Sequence, residues 1–176
     1  KDSKALVAMI RKTPSRPTLS VLLKKLLENP NDKRFNRDDV LVVLIESARY
    51  RNQKPEQALI LRIPELLKDK KLAAGVLDLL GAVNHKPFTK ILQDEARKNK
   101  TLSAAAMGAL GRTRASVSAE FLLEMTGAKY DLPLRIEALY ALVLKQPKTA
   151  EKKLFDVLAG LPATADVSRI FSNYVS

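Results

Sequence analysis

The sequence predicts an all-α fold, a right-handed α-solenoid of about five two-helix repeats followed by a terminal helix. Three observations carry this expectation. First, three stretches lie over one another: Leu72-Ala-Ala-Gly-Val-Leu-Asp-Leu-Leu-Gly81, Leu102-Ser-Ala-Ala-Ala-Met-Gly-Ala-Leu-Gly111 and Leu134-Arg-Ile-Glu-Ala-Leu-Tyr-Ala-Leu-Val143, with starts 30 and 32 residues apart. Second, each is followed by a short polar turn and another apolar-periodic segment. One unit therefore holds two helices, the pattern of a stacked helical repeat. Third, no β-alternating run and no Asn-Gly hairpin signal occurs. Such an array presents a long surface and no buried reaction chamber.

The elements follow in order. Residues 3–12 place Leu6, Met9 and Ile10 at i, i+3 and i+4, and Thr13-Pro14-Ser15-Arg16-Pro17 ends that helix. Residues 18–28 carry Leu19, Leu22, Leu23, Leu26 and Leu27 on one face, and Asn29-Pro30-Asn31-Asp32 stops them. Asn36 is a good N-cap for a helix over 37–51, with Val40, Val43, Leu44 and Ser47/Ala48 facing inward. Pro55 opens the next helix, and Pro64 within it predicts a kink or break.

Residues 70–82 carry Leu72, Val76, Leu79 and Leu80, and residues 87–98 begin at Pro87 and carry Phe88, Ile91, Leu92 and Ala96. Thr101 is the expected cap of 101–111. Residues 115–126 carry Val117, Phe121, Leu122 and Met125, with Gly127 as the stop. Residues 133–145 begin near Pro133, and 149–159 carry Leu154, Val157 and Leu158. The last helix, 165–174, carries Val167, Ile170, Phe171 and Tyr174 at i, i+3, i+4 and i+7.

Paired off, the first helices start near 4, 38, 70, 102 and 133. The second pair joins the series through Val40-Leu-Val-Val-Leu-Ile-Glu-Ser-Ala-Arg49, where Ala48 matches Leu80, Leu110 and Leu142. The expected organisation is one domain over 1–176, with a divergent pair over 1–35, core repeats over 36–160 and a capping helix over 164–174. The polar residues Asp166, Ser168, Arg169, Ser172 and Asn173 suit a cap.

In these residues the chain resembles the HEAT repeat family, in its short bacterial form. That form reads Arg-x-x-Ala-x-x-Ala-Leu-Gly, a tight turn, then an apolar second helix. Arg135-Ile-Glu-Ala-Leu-Tyr-Ala-Leu-Val143 and Ser103-Ala-Ala-Ala-Met-Gly-Ala-Leu-Gly111 match best, followed by Leu77-Asp-Leu-Leu-Gly-Ala-Val83. The resemblance implies a right-handed stack of helix pairs. The turns Asn84-His85-Lys86, Arg112-Thr113-Arg114 and Gln146-Pro147-Lys148 lack the Asp that HEAT turns often carry. The sequence therefore carries no sign of that family's Asp–Arg ladder, and another two-helix solenoid, such as an armadillo array, is the alternative. Small residues at Ala104, Ala105, Ala106 and Gly108 predict close helix approach.

The composition bounds the chemistry. Of 176 residues, 46% are apolar, enough for a continuous core, but aromatics are 5% and Trp is absent. The absence of Cys excludes disulfides, zinc–thiolate sites and thiol nucleophiles. No apolar run approaches the roughly 20 residues of a membrane span. The first residue is Lys1, and no signal peptide is visible. Export after signal removal fits both that start and the missing Cys, with a cytoplasmic location as the alternative.

Catalytic groups have little support. His85, the single His, falls in a turn, and one His builds no metal cluster. Asp38-Asp39 and Asp94-Glu95 are adjacent pairs, whose side chains diverge by about 100° on a helix. The first pair suits the dipole of a helix N-terminus. No nucleophile elbow, phosphate loop or dinucleotide fingerprint occurs. HEAT-like alkylpurine DNA glycosylases use a catalytic Asp beside concave aromatics, and no such cluster is present. The expectation is a non-enzymatic protein without cofactor or metal.

Charge is the pointer to partners. The formal charge is +12, and it is uneven. Residues 1–100 hold 22 Lys and Arg against 12 Asp and Glu, giving +10, whereas 101–176 hold 9 against 7, giving +2. In stacked two-helix arrays the second helices line the concave face. There the sequence places Lys24, Lys25, Arg62, Lys68, Lys90, Arg97 and Lys98 as candidate binding residues, with Glu120 and Glu124 interrupting the track. The expected function is a scaffold that docks an acidic protein segment on this face. The alternative is a nucleic-acid backbone or another anionic surface held by the basic amino-terminal half.

Overall fold

A computed structural model describes residues 3–29, 32, 36–168 and 170 of the chain. Among them every regular element is helical, ten α-helices and one 3-10 helix. Packing divides the chain into two compact units, Lys1–His85 and Lys86–Ser176.

The first unit holds α1 (Ser3–Lys12), α2 (Arg16–Glu28), α3 (Arg37–Tyr50), α4 (Gln57–Ile60), the 3-10 helix Ile63–Lys68 and α5 (Ala73–Val83). Ser15 caps α2 through a reciprocal box with Thr18, and Pro17 sits in the first turn, where it costs no hydrogen bond. Asn36 caps α3 by accepting from the Asp38 N–H at 3.1 Å, and Asp38 and Asp39 occupy its first turn, as the sequence predicts. The break at Pro64 takes the form of a four-residue α4 followed by a 3-10 turn with Pro64 near its start. Pro55 lies outside α4, because Glu56 occupies the N-cap position. α5 ends on Asn84 in the left-handed conformation (φ 51°), the role a glycine usually fills.

The core of this unit is aliphatic: Leu19, Leu22, Leu23 and Leu26 of α2, Val40, Leu41, Val43 and Leu44 of α3, and Val76, Leu77, Leu79 and Leu80 of α5 are all buried. α3 packs against α1 on one flank and α5 on the other, while α2 and the 3-10 helix cover the second side. Gly75 marks close approach, since a Cβ there would lie 3.1 Å from Leu41 Cδ1. On α1, Val7 and Ile10 turn inward and Met9 is 67% exposed, so the buried stripe is rotated from the one expected.

Two ion pairs tie α1, α3 and α5 together. Arg11 of α1 donates from Nε to Glu46 Oε2 of α3 at 2.6 Å. Three residues on, Arg49 of α3 donates from Nη2 to Asp78 Oδ1 of α5 at 2.7 Å. Glu46 and Asp78 lie 32 residues apart in the sequence, and accept from Arg11 of α1 and Arg49 of α3. Arg37 adds a third link, donating to Asp69 at the end of the 3-10 segment.

The second unit holds α6 (Lys86–Lys98), α7 (Ser103–Arg112), α8 (Ala119–Met125), α9 (Leu132–Lys145) and α10 (Pro147–Ala159). α7 packs along α9, with α6 against α7, and α8 and α10 against α9. A Cβ on Gly111 would meet Ala141 Cβ at 3.3 Å and its Cα at 3.5 Å, so this glycine sets the closest approach of α7 and α9. Ala104 and Ala105 do not share that role. They are half-buried and line an open surface groove of about 410 Å³ with Leu132, Pro133 and Ile136.

Two local expectations are corrected here. Thr101 does not cap α7; the Asn99 side chain accepts from the N–H groups of Thr101 and Leu102, both at 3.2 Å, and α7 begins at Ser103. The helix expected from residue 115 begins at Ala119, capped by Ser118, whose Oγ accepts from the Phe121 N–H. The preceding backbone is held by α9: Lys145 Nζ donates to the Thr113 carbonyl, and Gln146 Nε2 donates to the Val117 carbonyl at 2.8 Å. Val117 is buried from this non-helical segment.

Among the described residues of this unit, Arg135 is the most buried charged residue, at 9% exposed. Its Nε donates to the Thr126 carbonyl at 3.0 Å and its Nη2 to the Gly160 carbonyl. These residues terminate α8 and α10. The guanidinium therefore satisfies carbonyls left open by two helix ends and places positive charge at both negative dipole ends. Of the expected terminal helix, 164–174, residues 164–168 and 170 are described: Asp166 Oδ1 accepts from the Ser168 N–H at 3.0 Å, and Ile170 is buried.

Candidate functional site

The candidate basic residues fall on two faces, one in each unit. In the first unit, Lys24 and Lys25 lie on α2, Arg62 lies between α4 and the 3-10 helix, and Lys68 ends that helix. Ser20 Oγ accepts from the Glu56 N–H at 2.9 Å, which fixes the start of α4 beside the start of α2. At the other end Glu28 takes Lys24 Nζ at 3.9 Å and Arg62 Nη1 at 3.7 Å. The structure therefore brings Lys24 and Arg62 onto one surface. Arg62 also pairs with Glu65 at 3.1 Å. That contact holds the Glu65 carboxyl below the ordinary carboxylate range, and Lys68 adds to the effect.

Two aliphatic side chains stand open on these same elements. Val21 is 56% exposed and Leu61 54%. Val21 lies seven residues before Glu28, which returns it to nearly the same face of α2. The surface is thus neither uniformly basic nor uniformly polar: helical spacing puts Val21 on the face of α2 that carries Lys24, Lys25 and Glu28, and Leu61 adjoins Arg62 in the chain. Sequence reading missed this, because α2 has so many apolar positions that one outward Val carries no separate signal.

In the second unit, Lys90, Arg97 and Lys98 are exposed on α6, and the seven-residue spacing keeps Lys90 and Arg97 on one face. Arg97 Nη2 donates to Glu124 Oε2 of α8 at 2.8 Å, and its guanidinium lies over the Phe121 ring, 4.8 Å from the centroid. Glu124 also accepts from the Tyr130 hydroxyl at 3.0 Å and from Lys129 Nζ at 3.5 Å. Arg97 first, then Tyr130, holds the Glu124 carboxyl below the ordinary range. Glu124, expected to interrupt a basic track, gathers three donors, Arg97, Lys129 and Tyr130. Lys129 and Tyr130 were not legible as site residues because they come from the turn before α9.

His85 lies in the turn between α5 and α6, as expected. Among the described residues no group of three or more His, Asp or Glu side chains is placed to hold a metal, and no helix is long and apolar enough to cross a membrane. No family model, curated protein or solved structure matches this chain.

Proposed function

We propose that the chain is a HEAT-like α-solenoid scaffold without enzymatic activity, and that the α2/α4 face docks an acidic, amphipathic protein segment. The repeat reading is supported by the recurrence of one sequence pattern at intervals of 30 and 32 residues and by the ion pairs between successive first helices in the first unit. The docking reading rests on one observation above all: the exposed Val21 on the face of α2 that carries Lys24 and Lys25, with the exposed Leu61 next to Arg62, which meets that face at Glu28.

The physical case is a division of labour. Apolar burial supplies affinity at roughly 25 cal/mol per Å² removed from water. The surrounding cations steer an acidic segment and select against basic ones. A phosphate backbone would gain nothing over Val21 and Leu61. It would also meet Glu28 and Glu65, which already neutralise much of Arg62.

The test uses a synthetic helical peptide carrying Leu at i, i+3, i+4 and i+7 with Asp and Glu elsewhere, and duplex DNA as the competing probe. Fluorescence anisotropy at low and moderate salt should show peptide binding. Affinity should fall about tenfold in Val21→Ser/Leu61→Ser and again in Lys24→Glu/Lys25→Glu. DNA binding that is steeply salt-dependent and indifferent to Val21→Ser/Leu61→Ser would move the assignment to a phosphate-backbone binder.

A further inference from the structure

A second concavity lies wholly within the carboxy-terminal unit, apart from the α2/α4 face. It has a volume of about 220 Å³ and is walled by the turn after α6 and the turn before α9. Three cations line it, Arg97, Lys100 and Lys129, against the Asp131 carboxylate, while Glu124, paired with Arg97 at 2.8 Å and with Lys129 at 3.5 Å, offsets part of that charge and leaves Lys100 outside its cluster. The floor includes Ala96 and Leu134, both buried.

Both walls are preorganised. The Asn99 side chain accepts from the N–H groups of Thr101 and Leu102 and donates to Glu95 at 3.1 Å, so the turn presenting Lys100 is pinned at three points. Across the cavity, Gly127 N–H donates to the Glu124 carbonyl and Tyr130 N–H to the Gly127 carbonyl, both at 3.1 Å. Tyr130 and Arg97 are further held on Glu124. Cations on fixed backbone bind an anion with less ordering cost than cations on mobile loops.

We propose that this cavity is a binding site for an oxyanion, a phosphate or a carboxylate, carried on a side chain of a bound peptide. Lys100, Lys129 and the outer edge of Arg97 supply the positive charge. Asp131 at the rim disfavours a bare anion and accepts from a donor beside the oxyanion, such as a peptide N–H. That pairing distinguishes an anion borne on a peptide from a free ion.

The test is an amide-resolved NMR titration of the whole chain with inorganic phosphate, a phosphoserine peptide and the same peptide carrying Asp. A saturable response confined to residues 99–103 and 129–131 is expected. Lys100→Ala/Lys129→Ala should weaken it about tenfold, while Lys90→Ala, on α6 but outside the cavity, should leave it unchanged. Tighter binding of either peptide than of phosphate identifies the side-chain source. Phosphate binding as tightly as the peptides overturns the role of Asp131 and leaves a site for free anions. Responses spread evenly over exposed lysines, or equal losses in Lys90→Ala and the double variant, would overturn the site itself.

Discussion

Arg49 reaches Asp78 across 29 residues of chain, donating from Nη2 to Oδ1 at 2.7 Å, and so joins α3 to α5. Both side chains are about three-quarters covered, 21% and 26% exposed, whereas Arg11 and Glu46 in the preceding link are 55% and 33% exposed. Arg49 Nε is buried without a hydrogen-bond partner, so the guanidinium is only partly satisfied. Coulomb attraction grows with burial, but so does the desolvation penalty, and the two links should differ measurably. A double-mutant cycle on Arg49 and Asp78 is expected to give a coupling of about 1 kcal/mol, and one on Arg11 and Glu46 about 0.3 kcal/mol or less. Equal couplings from urea denaturation would show that burial does not set the strength of these links.

Arg135 should be the most sensitive charged position in the second unit. Arg135→Ala leaves the Thr126 and Gly160 carbonyls without their donor and is expected to cost about 2–4 kcal/mol. Arg135→Lys should recover only part of this, because one ammonium cannot span two carbonyls as a planar fork does. Chemical denaturation of the three proteins checks the order; an alanine variant within about 0.5 kcal/mol of wild type would remove the clamp from the account.

The two glycines of α7 should respond in opposite directions. A Cβ at Gly108 would meet the ends of the Glu137 and Arg112 side chains, at 3.0 and 3.2 Å, and flexible ends can swing away. Gly108→Ala is therefore expected to stabilise by about 0.5–1 kcal/mol through helix propensity. At Gly111 the obstacle is Ala141, including its backbone, and Gly111→Val should destabilise by about 2–3 kcal/mol as α7 is forced off α9. Thermal melts of both variants test the contrast.

Asp69 makes acid stability predictable in sign. The hydrogen bond from Arg37, aided by the Lys71 N–H, holds its carboxyl below the ordinary range. A folded pKa below the unfolded one means the unfolded chain binds more protons in the interval between them. The stabilisation is therefore complete above the unfolded value, near 3.9, and is lost as pH falls through the folded value. The stability difference between wild type and Asp69→Asn should stay constant from about pH 7 to 5 and shrink below about pH 4. A difference that is flat down to the acid transition would mean that the carboxylate's charge contributes nothing there.

Much of the helical layout was legible because its causes are local. The i, i+3, i+4 leucines of α2, the Asn36 cap and the proline break near Pro64 are all written within a few residues of where they act. The start of α8 was not legible. Val117 fits a helical stripe with Phe121, yet it is buried from a non-helical stretch whose carbonyls are held by Lys145 and Gln146, about thirty residues away. The Thr101 cap failed for a smaller reason: Asn99, two residues earlier, accepts from the Thr101 and Leu102 N–H groups and holds Thr101 in the turn before α7.

The basic residues were all readable, and their grouping was not. Composition alone placed the charge in the first hundred residues, and helical spacing alone put Lys90 and Arg97 on one face. Only the tertiary structure decided that Glu28 takes Arg62 besides its i,i+4 neighbour Lys24, that Glu124 takes Arg97 from another helix, and that Val21 and Leu61 stay uncovered. Helix formation is settled over a span of about four residues, by propensity, caps and periodicity. Which charges neutralise one another across elements, Arg62 with Glu28 and Arg97 with Glu124, is settled by distances between chain segments some thirty residues apart, and those exist only once the helices have packed.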